Sequence, residues 1–447
     1  MHPCRAYWGQ LLLSCWFLGA AGAVCADDLP SFQALVDAAE PNSSLSPPAG
    51  TYAGPVVIDK PLNIDGRSEV TIDAGGRGSV IVLDTDGATL RGLHLTNSGN
   101  SHNDLDAGVQ IRGNFNVVID NRIDNCLVGV DIQQSENNIV RRNRISSKPV
   151  ELGIRGDAIR LWYSFGNRIE ENEAVNSRDI VVWYSRDNVI RRNKASGGRY
   201  SLHFMYSQYN LVEENEFRGN SVGIFLMYSD SVIVRRNHIS HAVGAAGVGI
   251  GFKETSDVDI LENEILYCAT GLHLDVSPYQ PDTTNRIKGN LIAYNGIGIQ
   301  FLNDWTGNIF ADNLLKGNLT QVAVLGGKTA KRNEWRGNHW DDYAGFDRNN
   351  DGIGDTPHEQ YAYADRICMD VPPARFFKGT PMLEVLDFLE RLAPFTSPEL
   401  LLRDDEPLMT AEFQLEEYAA AASTGEEEDP SAASEPSSTE PDAYELL

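Results

Sequence analysis

Cysteine is scarce in this sequence, positive charge is in deficit, and long apolar runs are confined to the first residues. Six cysteines occur in 447 residues. Cys4, Cys15 and Cys25 fall in an N-terminal stretch that reads as a cleaved signal, which leaves Cys126, Cys268 and Cys368 at wide spacing. Three cysteines so far apart exclude a disulfide framework and a CxxC metal knuckle, so each is expected to be a small buried hydrophobe. Lys and Arg number 37 against 63 Asp and Glu, a net charge of −26. That balance argues against nucleic acid and anionic membranes as partners. From Asp404 onward the chain carries 14 acidic residues and no Lys or Arg, and is rich in Ser, Ala and Pro. Residues 404–447 are therefore expected to form an acidic, disordered tail.

The expected signal, residues 1–26, has Arg5 near its start, an apolar run from Leu11 to Ala21, and small residues before a cut near Ala26. No later run reaches the roughly 18 apolar residues that span a bilayer. The mature chain is expected to be exported and free of a membrane span.

What is abundant is a repeat. The spacing of Asn138, Val140, Asn143 and Ile145 recurs as Asn188, Ile190, Asn193 and Ala195, and as Asn210, Val212, Asn215 and Phe217. The second Asn falls at 121, 143, 172, 193, 215, 237, 263, 290, 313 and 338, with gaps of 21 to 29 residues. Each unit also holds a short alternating strand after a glycine, such as Gly129–Ile132, Gly223–Leu226, Gly271–Leu274 and Gly298–Phe301. Strands this short bury an apolar face only when stacked coil upon coil. Asn at each bend suits a left-handed turn and an amide ladder. The expected fold is all-β, a right-handed parallel β-helix, since crossover chirality favours that hand. A helical cap is expected at Phe32–Ala39, followed by strand pieces at Val56–Asp59, Asn63–Asp65 and Val70–Asp73. The solenoid should occupy residues 27–340. An extension, 341–403, carries an Asp/Asn-rich loop and a helix from Pro381 to Leu392.

Alignment by the Asn residues places Leu161–Ser164, Val182–Ser185, Phe204–Ser207 and Leu226–Ser229 in register. Trp162, Trp183, Met205 and Met227 should then form a file on the outer face, with Arg160, Val181, His203 and Phe225 beside it, and His273 further along the second column. Two readings stand side by side. Such an exposed file marks a docking surface, with Trp162, Trp183 and Phe225 as contacts. Alternatively His203, Met205 and Met227, with His273 as a further ligand, hold a soft ion, above all Cu(I).

Asp347, Asn349, Asp351 and Asp355 place oxygens around a Gly352 turn, as in the first half of a calcium loop. The usual Glu at the twelfth position is replaced by His358, and an Asp/Asn-rich turn is the plainer reading. Asp157 and Asp179 could also serve a secreted polysaccharide lyase, hydrolase or epimerase, yet Arg, Trp and Met crowd the same face. Gly326–Thr329 imitates a phosphate loop, but Val322 stands where the motif needs Gly, so it is read as a turn.

The stretches Arg155–Ser164, Val181–Ser185, Leu202–Tyr206, Gly223–Ser229, Gly251–Glu254, Asp275–Pro281, Phe301–Trp305, Asn338–Asp342, Gly352–Pro357 and Asp370–Phe377 closely resemble the NosD family, periplasmic maturation proteins of nitrous oxide reductase. The resemblance covers roughly residues 30–403 and omits the acidic tail. It implies a non-enzymatic periplasmic assembly factor that handles copper or sulfur with the membrane subunit of an ABC transporter, a copper chaperone and the reductase. It also makes Arg375, Phe376, Phe377 and the following helix candidates for docking on the transporter, with a C-terminal cap as the equal alternative.

Overall fold

The side chain of Asn143 turns into the body of the protein, and its amide bonds upward and downward to the equivalent Asn in neighbouring coils. Asn143 Nδ2 donates to Asn172 Oδ1 at 3.0 Å, and Asn121 Nδ2 donates to Asn143 Oδ1 at 3.0 Å. The ladder continues through Asn193, Asn215, Asn237, Asn263, Asn290 and Asn313 to Asn338. These amides are buried, and each also satisfies backbone groups at the bend, so no polar atom is stranded by burial. The left-handed backbone expected of these Asn residues falls instead on the residue before each one. Arg142, Glu171, Arg192 and Glu214 have φ of 50°, 56°, 53° and 56°. The reason is directional: the ladder needs the Asn side chain inside, and the turn sends its predecessor out into solvent.

The computed structural model describes residues 29–363, 366–393 and 398–410; the side chains of 372, 375, 387 and 391 are outside this description. The expected signal, residues 1–26, also lies outside it. Each coil contributes three strands, as in Asp179–Trp183, Val189–Arg191 and Lys194–Ser196. The first of each coil joins a 12-stranded parallel sheet, here called the face sheet. The other two form parallel ladders linked at one end by the long strands Asn63–Asp73 and Thr89–Thr96. Inward residues such as Leu161, Val182, Phe204, Leu226 and Phe252 are fully buried and stack as one continuous core. Outside, Arg141, Glu170, Arg191, Glu213 and Arg235 occupy consecutive register positions, and their alternating charge favours one register over a slip.

The N-terminal cap is the helix Phe32–Ala38, whose start is capped by Ser31 Oγ accepting from Ala34 N at 3.3 Å. Asn63–Asp73 is one strand rather than the two expected pieces, because Arg67 and Ser68 take left-handed φ and absorb a register shift without ending the pairing. At the other end, His339–Trp340 is the last coil strand, and Trp335, Trp340 and His358 stack over the open core. The antiparallel strand pair His358–Ala362 and Glu399–Asp404 closes that end. The helix Pro381–Leu392 forms as the sequence predicts. Asp404, expected to open the tail, is fully buried, and the packed unit runs to Met409. Composition missed this because six residues of an acidic run carry the capping contact. Residues 411–447 lie outside the described residues.

Candidate functional site

The face sheet puts side chains of distant sequence in vertical columns. One column reads Gln133, Trp162, Trp183, Met205, Met227, Lys253 and Asp275, each paired with the next. The neighbouring column reads Asp131, Arg160, Val181, His203, Phe225, Gly251, His273, Gln300 and Ala323. Adjacent strands are about 4.8 Å apart, so both files are continuous. The first is half-buried, whereas Asp131, Arg160, Val181, His203, Gln300 and Ala323 of the second are buried rather than exposed.

The structure brings three of the four proposed soft donors together. His203 Nε2 lies 3.4 Å from Met227 Sδ, and Met205 is the register partner of Met227. His203 is buried, its ring stacked on Tyr200 at 4.7 Å and met edge-on by Trp183 at 5.6 Å. Burial penalises the charged imidazolium and pulls its pKa down to about 4, so the ring is neutral at physiological pH. Nδ1 has no hydrogen-bond partner among the described residues. A neutral imidazole with two thioethers is a donor set suited to a soft monovalent ion.

His273 does not join this group. It lies three strands from His203, about 14 Å at sheet spacing, and bonds Gln300 Oε1 through Nδ1 at 3.1 Å. The ring of Phe225 separates the two histidines, since it lies where a side chain at Gly251 would stand: a Cβ there would meet Phe225 Cε2 at 2.4 Å. Beyond Phe225 a cavity of about 520 Å³ opens between His273, Gln300, the Gly244–Gly247 loop, and Cys368 and Met369 of the helix Arg366–Asp370. No local pattern announced this cavity, because its last wall comes from nearly a hundred residues away.

Trp162 and Trp183 are half-buried and lie 6.0 Å apart, with the Arg160 guanidinium over Trp162 at 4.7 Å. Three acidic residues of this face, Asp131, Asp157 and Asp179, are bound to arginines. Arg160 Nη1 meets Asp131 at 3.0 Å, Arg178 Nη2 meets Asp157 at 2.9 Å, and Arg199 Nε meets Asp179 at 3.1 Å. Burial outweighs Arg178 and pushes Asp157 up to about 6. The sequence reading named Asp157 and Asp179 but missed Arg178 and Arg199, which are offset from the strand register that organises the rest.

Asp347 accepts from Asp351 N at 3.2 Å and Gly352 N at 2.9 Å, Asp351 from Ile353 N at 2.9 Å, and Asp355 from Arg348 N at 2.8 Å. Asn349 Oδ1 also accepts from Asp351 N at 3.2 Å. The oxygens thus converge on one loop. Phe376 and Phe377 are exposed, as are Met382, Phe388 and Leu392 on the following helix. The side chain of Arg375 lies outside the described residues. Cys126 and Cys268 are buried in the core, which pushes their thiols up to about 12 and about 11, and Cys368 is buried beneath the cavity. Gly326 and Gly327 form a turn at φ 72° and 65°, and no phosphate loop is present there.

A parallel β-helix of stacked three-strand coils defines the class: an all-β repeat protein. Residues 143–345 match the family described as periplasmic copper-binding protein (NosD). The chain is 30% identical over 387 residues to a protein of Pseudomonas aeruginosa named probable ABC transporter binding protein NosD, covering 81% of this chain and 87% of that one. A protein of the same name from Stutzerimonas stutzeri is 35% identical over 130 residues, 28% of this chain and 29% of that one. The chain belongs to the NosD family. Among solved structures, the A-module of the mannuronan C-5 epimerase AlgE6 from Azotobacter vinelandii superposes with a TM-score of 0.51 at 18% identity, over 68% of this chain and 93% of that one. That likeness is one of fold.

Proposed function

We propose that this chain is a periplasmic, non-enzymatic scaffold that receives Cu(I) at His203, Met205 and Met227 and presents it for assembly of the copper–sulfur centre of nitrous oxide reductase. The observation that carries this reading is the 3.4 Å approach of His203 Nε2 to Met227 Sδ, with Met205 beside them on the next strand. Copper is the cargo, and the neutral imidazole and thioethers bind it without a charge that would hold it too firmly for transfer. Trp162, Trp183 and Phe225 flank the group and serve as contacts for a copper chaperone or the reductase. Phe376, Phe377 and the exposed helix Pro381–Leu392 dock on the membrane subunit of an ABC transporter. The family description and the names of the relatives support the copper and transporter parts of this reading. The arginine-bound state of Asp131, Asp157 and Asp179 supports the absence of sugar chemistry. The Asp347–Asp355 loop acts as a calcium clamp on the last coil.

The test is a competition titration of Cu(I) against a colorimetric chelator. Replacing Met205 and Met227 together by Ala should weaken binding by about tenfold or more while the circular dichroism spectrum stays unchanged. Unchanged affinity would overturn the assignment. Trp162→Ala with Trp183→Ala should instead abolish capture of the copper chaperone or the reductase while leaving capture of the transporter from detergent-solubilised membranes unchanged.

A further inference from the structure

Tyr163, Tyr184, Tyr206 and Tyr228 occupy one turn position in successive coils, with φ of 48°, 51°, 51° and 50°. The turn itself demands this conformation, because Glu254 and Val276 adopt it at φ 49° and 45° in the coils that follow. Tyrosine is therefore not needed for the backbone. What it supplies is a stack: ring centroids lie 4.9, 5.2 and 4.8 Å apart, with interplanar angles of 6°, 15° and 12°. Tyr163 and Tyr206 are 44% and 48% exposed, so their phenols have access to water. The stack meets Trp162, which lies 5.5 Å from Tyr163 and 5.1 Å from Tyr184. Trp162 is 6.0 Å from Trp183, Trp183 is 5.6 Å from His203, and His203 Nε2 is 3.4 Å from Met227 Sδ. A continuous aromatic path thus joins the Met227 thioether to solvent-exposed phenols, with no step longer than 6.0 Å, and Met205 is the register partner of both Trp183 and Met227.

We propose that this file is a hole-transfer relay that carries oxidising equivalents away from Met205 and Met227 to the exposed tyrosines. A one-electron oxidant removes an electron from a thioether and leaves a sulfur radical cation. Trp183 and Trp162 pass an electron back to the sulfur, and the hole moves to the tyrosine stack. There a phenol releases its proton to water and becomes a tyrosyl radical. A small hydrogen-atom donor such as ascorbate returns one electron and one proton. The oxidant is reduced, the donor is oxidised, and the thioether is restored before oxygen adds to it to form the sulfoxide, which would convert a soft donor into a polar one. The relay requires no bound metal, so it stands or falls separately from the copper assignment. A second stack, Tyr267 on Tyr294 at 5.4 Å, has no aromatic link to Met227 among the described residues and serves as an internal control.

The experiment uses the metal-free full chain, a ruthenium photo-oxidant with persulfate at a fixed dose, ascorbate, and peptide mass spectrometry of residues 205 and 227. Combined Tyr163→Phe, Tyr184→Phe, Tyr206→Phe and Tyr228→Phe keeps the stack but removes the phenolic protons. Sulfoxide at Met205 and Met227 should rise by about threefold or more, and the tyrosyl signal in electron paramagnetic resonance should fall. Tyr267→Phe with Tyr294→Phe should change neither. Trp162→Leu interrupts the path by a second route and should also raise the sulfoxide yield, which covers the case of a misfolded quadruple variant. Hydrogen peroxide, a two-electron oxidant, should give equal sulfoxide in all variants. Equal yields after photo-oxidation would overturn the relay. So would a rise of the same size with peroxide, which would make the file a steric shield.

Discussion

Asp404 closes the asparagine ladder at Asn338: its Oδ2 accepts from the backbone N–H at 3.1 Å and from the side-chain amide at 2.9 Å. The same oxygen accepts from Trp340 Nε1 at 3.1 Å, and Oδ1 accepts from Glu406 N at 3.1 Å. A repeating ladder always ends on an unpaired rung. Here a carboxylate from outside the repeat supplies the missing acceptors, and its burial is matched by four donors.

Asp404→Ala should therefore fray the solenoid from this end. Leaving the Asn338 backbone N–H and Trp340 Nε1 buried and unmet costs about 1–3 kcal/mol each, and contacts in a stacked array reach only neighbouring coils. Hydrogen exchange should show protection lost first around Asn313–Trp340 and unchanged near Asn143. A uniform loss along the chain would contradict this.

Gly156 allows the closest backbone approach beside the Asp157 pair. A Cβ at this position would stand 1.6 Å from the Leu127 carbonyl oxygen, a backbone atom of the neighbouring coil rather than the flexible end of a side chain. Gly156→Ala should lower stability by about 3 kcal/mol, read as a reduced denaturation midpoint. A midpoint equal to that of the parent chain would show that the coil spacing gives way.

His203 makes stability depend on pH in a definite direction. Its folded pKa, about 4, lies below the ordinary histidine value, so the unfolded chain takes up a proton first as the medium is acidified. Between pH 6.5 and 4 this residue should remove on the order of 3 kcal/mol of stability, with no further loss below. Asp157, raised to about 6, acts in the opposite sense: its contribution is present at low pH and is lost as pH rises through 6. Because Asp157 is shared, comparing His203→Asn with the parent chain isolates the imidazole. The variant should lose less stability over that window, and parallel curves would refute the buried neutral state.

Calcium should raise the melting temperature if the loop around Gly352 is a clamp, and Asp347→Asn with Asp351→Asn should abolish the increment. Identical melting with calcium and with chelator would leave the loop as a turn held by its own hydrogen bonds.

The sequence by itself determined the solenoid, because the contacts that stack coils recur with the period of the chain and write themselves as Asn, Gly and alternating apolar residues. It also determined that His203, Met205 and Met227 share an outer face, since register follows from the same period. Only the tertiary structure decided the rest. His273 falls in the right column yet is cut off by Phe225, a matter of ring placement over Gly251 that periodicity cannot express. Left-handed φ passed to the residue before each ladder Asn, because the inward direction of the amide outranks Asn's own turn preference. Asp404 looked like the first residue of a disordered tail, but it bonds Asn338 across 66 positions of sequence. Contacts of that length obey no repeat, so composition reads them as ordinary surface until the fold brings the partners together.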